Sequence, residues 1–157
     1  FVNTENMIIE FAARMNERGI KPELECLDKS HIDMALRLVR KGHIQPPLHF
    51  NFVLGVNGGA TGTPRDLLFL KESLPEGATF TVTGVGRCQL DMNVMGMLLG
   101  GHVRVGFEDN LKYNRERNAI SNAEFVERIV RIAKELNLEI ATPAEARQIL
   151  GMPERAK

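Results

Sequence analysis

The chain repeats a pattern of strand followed by helix, and this repeat restricts its fold more than any other feature. Strands are predicted at residues 23–28, 48–55, 79–85 and 102–107, and a helical pattern follows each of them. Units of roughly 30 to 40 residues of this kind form parallel α/β sheets. A complete (β/α)8 barrel needs roughly 250 residues, so 157 residues correspond to about half of one. An open, doubly wound sheet is the alternative, and the pattern alone does not decide between the two.

The helices are predicted from apolar spacing and from capping residues. Their spans are 1–19, 31–41, 64–74, 90–99, 123–136 and 144–150, with Ser30, Thr63 and Thr142 as N-caps. The first helical pattern begins almost at Phe1, so the sequence is expected to start inside a domain.

The charge balance excludes several kinds of partner. The chain has 20 Lys and Arg residues against 20 Asp and Glu residues, so no field of one sign favours a nucleic acid or an anionic membrane. No apolar run reaches the ~18 residues of a membrane span, and no secretory signal is visible. Cys26 and Cys88 lack metal-ligand spacing and are expected to be free thiols in a reducing compartment. We therefore expect a cytoplasmic globular protein.

Residues 102–110 place an arginine and two carboxylates near the end of a predicted strand. Arg104 lies within the strand, and Glu108 and Asp109 follow it. Barrel enzymes build their active sites at the carboxyl ends of their strands, so this segment is a candidate active-site element. The alternative is a strand that runs into a solvated acidic turn, with Arg104 and Asp109 as a structural ion pair.

Other polar residues follow or lie on the neighbouring predicted strands. Glu25 is on the polar face of the first strand, where it either faces the barrel mouth or is solvated. Asn51 is on the polar face of the second strand and is a candidate substrate-binding residue. Residues 55–64 contain four glycines, which indicates a mobile loop or one that a ligand or another backbone approaches closely. Gly86-Arg87 can present a backbone N–H and a guanidinium to an anion.

Several motifs together resemble one enzyme family. They are Gly100–Asn110, Ser121–Ala123 and Ala141–Arg147, with Pro22–Glu25, Phe52–Val56 and Gly84–Arg87 upstream. Over essentially the whole chain, these residues are similar to the β-keto acid cleavage enzymes. The resemblance implies a zinc-dependent (β/α)8 barrel, usually a homotetramer, of which residues 1–157 are the C-terminal half with strands 5–8. Such enzymes condense a β-keto acid with acetyl-CoA and split the product into acetoacetate and a new CoA thioester.

The resemblance implies a metal ligand and a catalytic pair. Glu108 would bind zinc, and carboxylates are ordinary zinc ligands. Arg104 and Asp109 would handle the proton and the substrate carboxylate. Asp109 could act as a base on a carbon next to a carbonyl, with Arg104 keeping it ionised. The guanidinium could alternatively bind the substrate's own carboxylate, and the sequence leaves both roles open.

The resemblance also implies binding residues. Glu25 would lie in the substrate pocket, with Asn51 as a further substrate-binding candidate. Gly86 and Arg87, together with the Gly58-Gly59 loop, would lie at the barrel mouth near the acetyl-CoA.

The sequence departs from the family at the zinc site. The family also uses a His-x-His on an early strand, and this sequence contains none; His49 and His102 lie on the wrong strands to replace it. The remaining ligands are therefore expected on an N-terminal half-barrel, and this half alone should bind zinc weakly. Two alternatives remain: a metal-dependent aldolase or lyase without CoA, and a non-catalytic half-barrel that associates through its sheet edges.

Overall fold

The computed structural model describes residues 2–152. Its strands are β1 (Leu24–Cys26), β2 (His49–Leu54), β3 (Thr79–Gly84) and β4 (His102–Arg104). Its helices are α1 (Glu5–Glu17), α2 (Lys29–Arg40), α3 (Pro64–Glu72), α4 (Gln89–Leu98), α5 (Asn122–Glu135) and α6 (Pro143–Ile149), with a 3-10 turn at Gly86–Cys88 before α4. Within this range, no helix is both long and apolar enough to cross a bilayer. Each predicted strand and helix is present, and Phe1 of the first predicted helix lies outside the described residues.

The strands form one parallel sheet in chain order, β1-β2-β3-β4. In the register of the sheet, Asn51 pairs with Glu25 on one side and with Thr81 on the other, and Thr81 pairs with His102. A doubly wound sheet reverses its strand order at a switch point, and the sheet of residues 24–104 shows no reversal. Sequential order of this kind is the order that (β/α)8 barrels use.

One face of the sheet is apolar and carries helices α1 to α4. Alternate side chains of a strand point to opposite faces, and one alternate set is buried in the main core. That core comprises Cys26, Phe50, Phe52, Leu54, Phe80 and Val82 from the strands and Ala12, Ile32, Ala35, Leu38, Leu67, Leu70 and Met92 from the helices. Helix α5 packs in a smaller cluster that includes Met97, Ile129 and Ala133. Helices α1 to α4 thus cover one side of the sheet.

The opposite face of the sheet is polar. By alternation it presents Glu25, His49, Asn51, Thr79, Thr81, Thr83, His102 and Arg104. His49 is buried, with Nδ1 2.8 Å from the Thr79 hydroxyl and Nε2 3.0 Å from the Thr81 hydroxyl. In a barrel this face would line the interior.

Two predicted boundaries are wrong for identifiable reasons. Helix α2 is capped by Asp28 rather than Ser30, because the Asp28 carboxylate accepts from Ser30 N at 2.7 Å and from Ser30 Oγ at 2.6 Å. Strand β4 ends at Arg104 and does not continue to Phe107. Gly106 has a φ of 152°, which breaks the extended run and starts a turn.

The two other predicted N-caps are confirmed. The Thr63 side chain accepts from Asp66 N, with Pro64 in the first turn of α3. Thr142 and Glu145 form a capping box at the start of α6, in which each side chain accepts from the other residue's backbone N–H.

Candidate active site

Arg104 and Asp109 form a two-bond ion pair at the carboxyl end of the sheet. Arg104 Nε lies 3.2 Å from Asp109 Oδ2, and Nη2 lies 2.8 Å from Oδ1. Asp109 is buried, with 8% of its surface exposed, and Arg104 is partly exposed. Two parallel N–H···O bonds fix the orientation of both groups. The structure therefore brings together the two residues predicted as a catalytic pair.

The turn after β4 directs the Asp109 carboxylate back towards the strand. Asp109 N donates to Gly106 O at 3.2 Å within the turn. Phe107 N donates to Asn122 Oδ1, at the first residue of α5, at 2.8 Å. From the other side, Gly86 N donates to Asp109 O at 2.8 Å. Neighbouring elements thus hold the turn in addition to its own hydrogen bonds.

Two more carboxylates lie near the Arg104 guanidinium. Glu25 Oε2 is 3.7 Å from Arg104 Nη1, and the Glu108 side chain is exposed beside the pair. The hydrogen bond with Asp109, and then the negative charges of Asp109, Glu108 and Glu25, raise the pKa of Arg104 above its ordinary value. Arg104 is therefore cationic throughout the physiological pH range. Three carboxylates thus surround one guanidinium.

Asn51 is fully buried, and both ends of its amide have protein partners. Its Nδ2 donates to Glu23 Oε1 at 3.1 Å, and its Oδ1 accepts from Thr83 Oγ1 at 2.8 Å. His49 Nε2 lies 3.8 Å from Glu23 Oε2. Asn51 therefore links Glu23, before β1, to β3 on the polar face. Sequence reasoning missed Glu23 and Thr83 as its partners, although strand alternation places all three on this face.

A cleft of about 340 Å³ lies between the loops that follow β2 and β3. Its lining includes Gly58 and Gly59 on one side and Arg87 and Cys88 on the other. Arg87 is exposed and is the charged residue among those described in the lining. Gly86 lies just beside this lining, and its N–H already donates to a backbone carbonyl. The Gly86 N–H that was predicted to face an anion is therefore already used within the protein, and Arg87 is the cationic residue beside the cleft.

The glycines of residues 55–64 have a structural explanation. A Cβ atom at Gly55 or Gly62 would overlap Cys88 Sγ, and one at Gly59 would overlap the backbone oxygen of Leu27. The predicted close approach of another backbone is confirmed at Gly59, whereas at the two other positions a side chain approaches. Burial raises the pKa of the Cys88 thiol, so Cys88 is protonated at neutral pH and acts as a packing group.

Glu108 is the predicted zinc ligand, and its exposed carboxylate at the carboxyl end of the sheet suits one position of a zinc site. Among residues 2–152, no cluster of three or more His, Cys, Asp and Glu side chains could hold a metal ion. His49 and His102 lie together at the opposite end of the sheet, with ring centroids 6.1 Å apart. A zinc site that used Glu108 would therefore need its other ligands from outside the described residues.

Comparison with known proteins decides the family. A sequence model described as beta-keto acid cleavage enzyme matches residues 1–152. The chain belongs to the β-keto acid cleavage enzyme family. The resemblance predicted from the sequence motifs is therefore confirmed over nearly the whole chain.

Curated relatives of this β-keto acid cleavage family chain are about twice its length. It is 59% identical over 152 residues to the 3-keto-5-aminohexanoate cleavage enzyme of Acetoanaerobium sticklandii and 57% identical to the Fusobacterium nucleatum protein of the same name. These alignments cover 97% of this chain and 56% and 55% of the relatives. The 3-oxoadipate:acetyl-CoA acetyltransferase of Cupriavidus necator is 36% identical, over 96% of this chain and 54% of that protein. The chain thus spans about half the length of the curated relatives it matches.

Two buried residues near the site have no counterpart in the sequence predictions. Gln89 and Asn93 lie on α4, and Asn93 Nδ2 donates to Arg104 O at 3.1 Å. Sequence reasoning treated α4 as an ordinary core helix because of its Met and Leu residues. Two amides among those apolar residues were the available signal.

Proposed function

We propose that this chain supplies strands 5–8 of a zinc-dependent (β/α)8 barrel that condenses a β-keto acid with acetyl-CoA and cleaves the product to acetoacetate and a CoA thioester. The observation that supports this most is the Arg104–Asp109 pair, flanked by Glu25 and Glu108, at the carboxyl end of the sheet. The sequential parallel strand order supports the barrel. The length of the relatives supports a complementary half-barrel as partner, and the assembly is proposed to be a homo-oligomer.

Asp109 is the residue proposed to accept a proton from a carbon next to a carbonyl. A carboxylate offers about four lone-pair positions, and Arg104 occupies one on each oxygen. One of the remaining positions is proposed to receive the proton of the substrate C–H. Transfer puts the proton on a carboxylate oxygen and leaves the electron pair on the substrate as an enolate.

Arg104 is proposed to hold the Asp109 carboxylate in the orientation that this step needs, through its two N–H···O bonds. Arg104 Nη1 lies 3.7 Å from Glu25, too far for a hydrogen bond, and is proposed to bind the substrate carboxylate. Glu25 then contacts the substrate beside that carboxylate.

Glu108 is proposed to hold the zinc ion together with ligands from the complementary half-barrel. A bound zinc ion supplies a Lewis acid for a carbonyl oxygen on which negative charge develops. Glu108 is adjacent in sequence to Asp109, so the metal and the base would act on neighbouring parts of one substrate.

The cleft beside Arg87 is proposed as the acetyl-CoA end of the site. Its volume of about 340 Å³ is in the range of small-molecule pockets. Gly58 and Gly59 let a ligand approach the backbone closely, and the Arg87 guanidinium can pair with a phosphate of CoA.

The test is turnover by the complete protein that carries this chain, with acetyl-CoA and a panel of β-keto acids. We expect acetoacetate only when acetyl-CoA is present, with loss of activity in chelator and recovery with zinc. Turnover that does not need acetyl-CoA would instead identify a metal-dependent aldolase or lyase. The Acetoanaerobium sticklandii relative serves as the positive control. If that control is active and this protein converts none of the acids, the enzyme proposal fails and a non-catalytic role remains.

A further inference from the structure

Helix α4 presents two buried amide side chains to the segment that holds the Arg104–Asp109 pair. Gln89 is 3% exposed and Asn93 is 0% exposed. They are four residues apart, so they lie on one face of the helix in successive turns. Buried amides are costly unless they are hydrogen-bonded, so their contacts indicate what they do.

The two amides bind the chain on either side of the turn after β4. On the strand side, Asn93 Nδ2 donates to the backbone oxygen of Arg104 at 3.1 Å. Beyond the turn, Gln89 Oε1 accepts from Asn110 Nδ2 at 3.3 Å, and Asn110 follows Asp109 directly. The backbone of Arg104 and the residue next to Asp109 are therefore both anchored to α4.

Each amide also has one atom without a partner. Gln89 Nε2 and Asn93 Oδ1 are buried and have no hydrogen bond within the protein. One is a donor and the other an acceptor, and side chains at this helical spacing reach each other directly or through one water. A link between them satisfies both atoms and joins the two anchors into one connected set.

We propose that Asn93 and Gln89 are positioning residues, linked through Gln89 Nε2 and Asn93 Oδ1, that fix Arg104 relative to Asp109. A shift of one anchor would then alter the geometry of the ion pair without touching it. The effect on turnover rests on the proposed function, whereas the effect on the Arg104 side chain does not. Measuring both turnover and the Arg104 side chain therefore distinguishes a failure of the positioning role from a failure of the proposed function.

The experiment compares variants of the complete protein. Asn93→Asp has nearly the same shape but cannot donate to Arg104 O, and Gln89→Met has similar length but no amide. Val94→Ala is the matched control, because Val94 is on the same helix and packs in the cluster with α5. The readouts are kcat and KM and the NMR signal and hydrogen exchange of Arg104 Nε–H.

We expect Asn93→Asp and Gln89→Met to lower kcat about tenfold or more with a smaller change in KM, since small misplacements of reacting groups are costly. The Arg104 Nε–H signal should shift and exchange faster in both variants but not in Val94→Ala. An unchanged Arg104 signal, or an unchanged kcat, overturns the proposal. If the parent protein has no turnover, the proposed function fails and the Arg104 signal alone decides.

A measurement on the unaltered protein tests the link between the two amides even if the variants do not fold. The Gln89 Nε2–H signals should exchange slowly with solvent, because the link buries and hydrogen-bonds them. Exchange as fast as that of an exposed glutamine, such as Gln148, overturns the link.

Discussion

Two arginines in this chain each bind a carboxylate through two N–H···O bonds. Arg104 pairs with Asp109, whose side chain is 7% exposed, and Arg117 pairs with Glu124 beside the start of α5. Arg117 lies in the more open position, with 46% of its side chain exposed against 34% for Arg104. The same contact is worth more where water is excluded, because screening is weaker there. The chain therefore contains its own control for the role of Arg104.

Replacing Arg104 by lysine tests the proposed catalytic pair of Arg104 and Asp109. Lysine keeps the charge but loses the planar two-bond contact, so kcat/KM of the complete protein should fall about 100-fold or more. Arg117→Lys should change kcat/KM by no more than about twofold, in line with an exposed pair. Steady-state kinetics with the best β-keto acid measures both. Equal losses in the two variants would contradict a special role for Arg104.

The burial of His49 should make the stability of the fold depend on pH. Burial lowers its pKa, while nearby Glu23 opposes this and His102 and Lys21 add to it. The unfolded chain then binds the proton more readily than the folded chain. The stability from neutral His49 is therefore fully present above the unfolded pKa of about 6.5 and is lost as pH falls below it. Urea denaturation between pH 7.5 and 5 should show this decline, and His49→Gln should weaken it. Identical pH profiles would rule His49 out as the cause.

The glycine-rich loop, residues 55–64, is held against the turn before α4. A Cβ atom at Gly62 would overlap both Sγ and Cβ of Cys88. Gly62→Ala should therefore lower the free energy of unfolding by about 1–3 kcal/mol through overpacking, as measured by urea denaturation. Cys88→Gly should recover part of that loss when it is combined with Gly62→Ala.

The control for this prediction is Gly58→Ala. Gly58 has a φ of 87° but no atom near its Cβ position, so Gly58→Ala should lower the free energy of unfolding through backbone strain alone. That loss and the loss from Cys88→Gly should then add in the double variant. If the changes in the free energy of unfolding from Gly62→Ala and Cys88→Gly are also additive, the close approach of the loop to the Cys88 thiol is contradicted.

The elements themselves follow from local sequence, and their ends depend on tertiary contacts. Alternation and helical spacing predict every strand and helix, and Thr63 and Thr142 are capping residues that need no partner beyond their own helix. Asp28 is the cap rather than Ser30 because α2 already begins at Lys29, so that Ser30 lies in its first turn and donates to the Asp28 carboxylate. The end of β4 depends on the backbone conformation of Gly106, which residue type permits but does not require.

The site also contains residues that local sequence predicts and residues whose role depends on tertiary contacts. Alternation places Glu25, Asn51 and Arg104 on one face of the sheet, and a turn five residues long brings Asp109 back to Arg104. The contribution of Gln89 and Asn93 depends on how α4 packs against β4. Their spacing is that of any helical core pair, so sequence reasoning had no basis for connecting them to the turn.

For the whole molecule, Glu108 is the one carboxylate among residues 2–152 that is proposed to bind zinc, and the outer strands β1 and β4 of the described sheet each pair on one side only. We expect its zinc Kd by isothermal titration calorimetry to be weaker than about 1 µM, since a stable site needs about four ligands. The complete protein should bind far more tightly and lose that affinity in Glu108→Gln. Sub-micromolar binding by the 157 residues alone would contradict the divided zinc site.

The strand order has a consequence for how this protein forms. Each of the strands β2 to β4 pairs with the strand that immediately precedes it in the chain. The paired residues lie 21 to 30 positions apart, as for Thr81 with His102 and His49 with Thr79, so each contact closes a short loop. A growing polypeptide can therefore add each strand–helix unit to a finished edge as it leaves the ribosome, without waiting for a distant segment. Each parallel pairing still needs a complete crossover between its two strands, so folding should be slower than in a helical bundle whose contacts are mostly local. The strand order nevertheless lets the sheet assemble in the direction of synthesis.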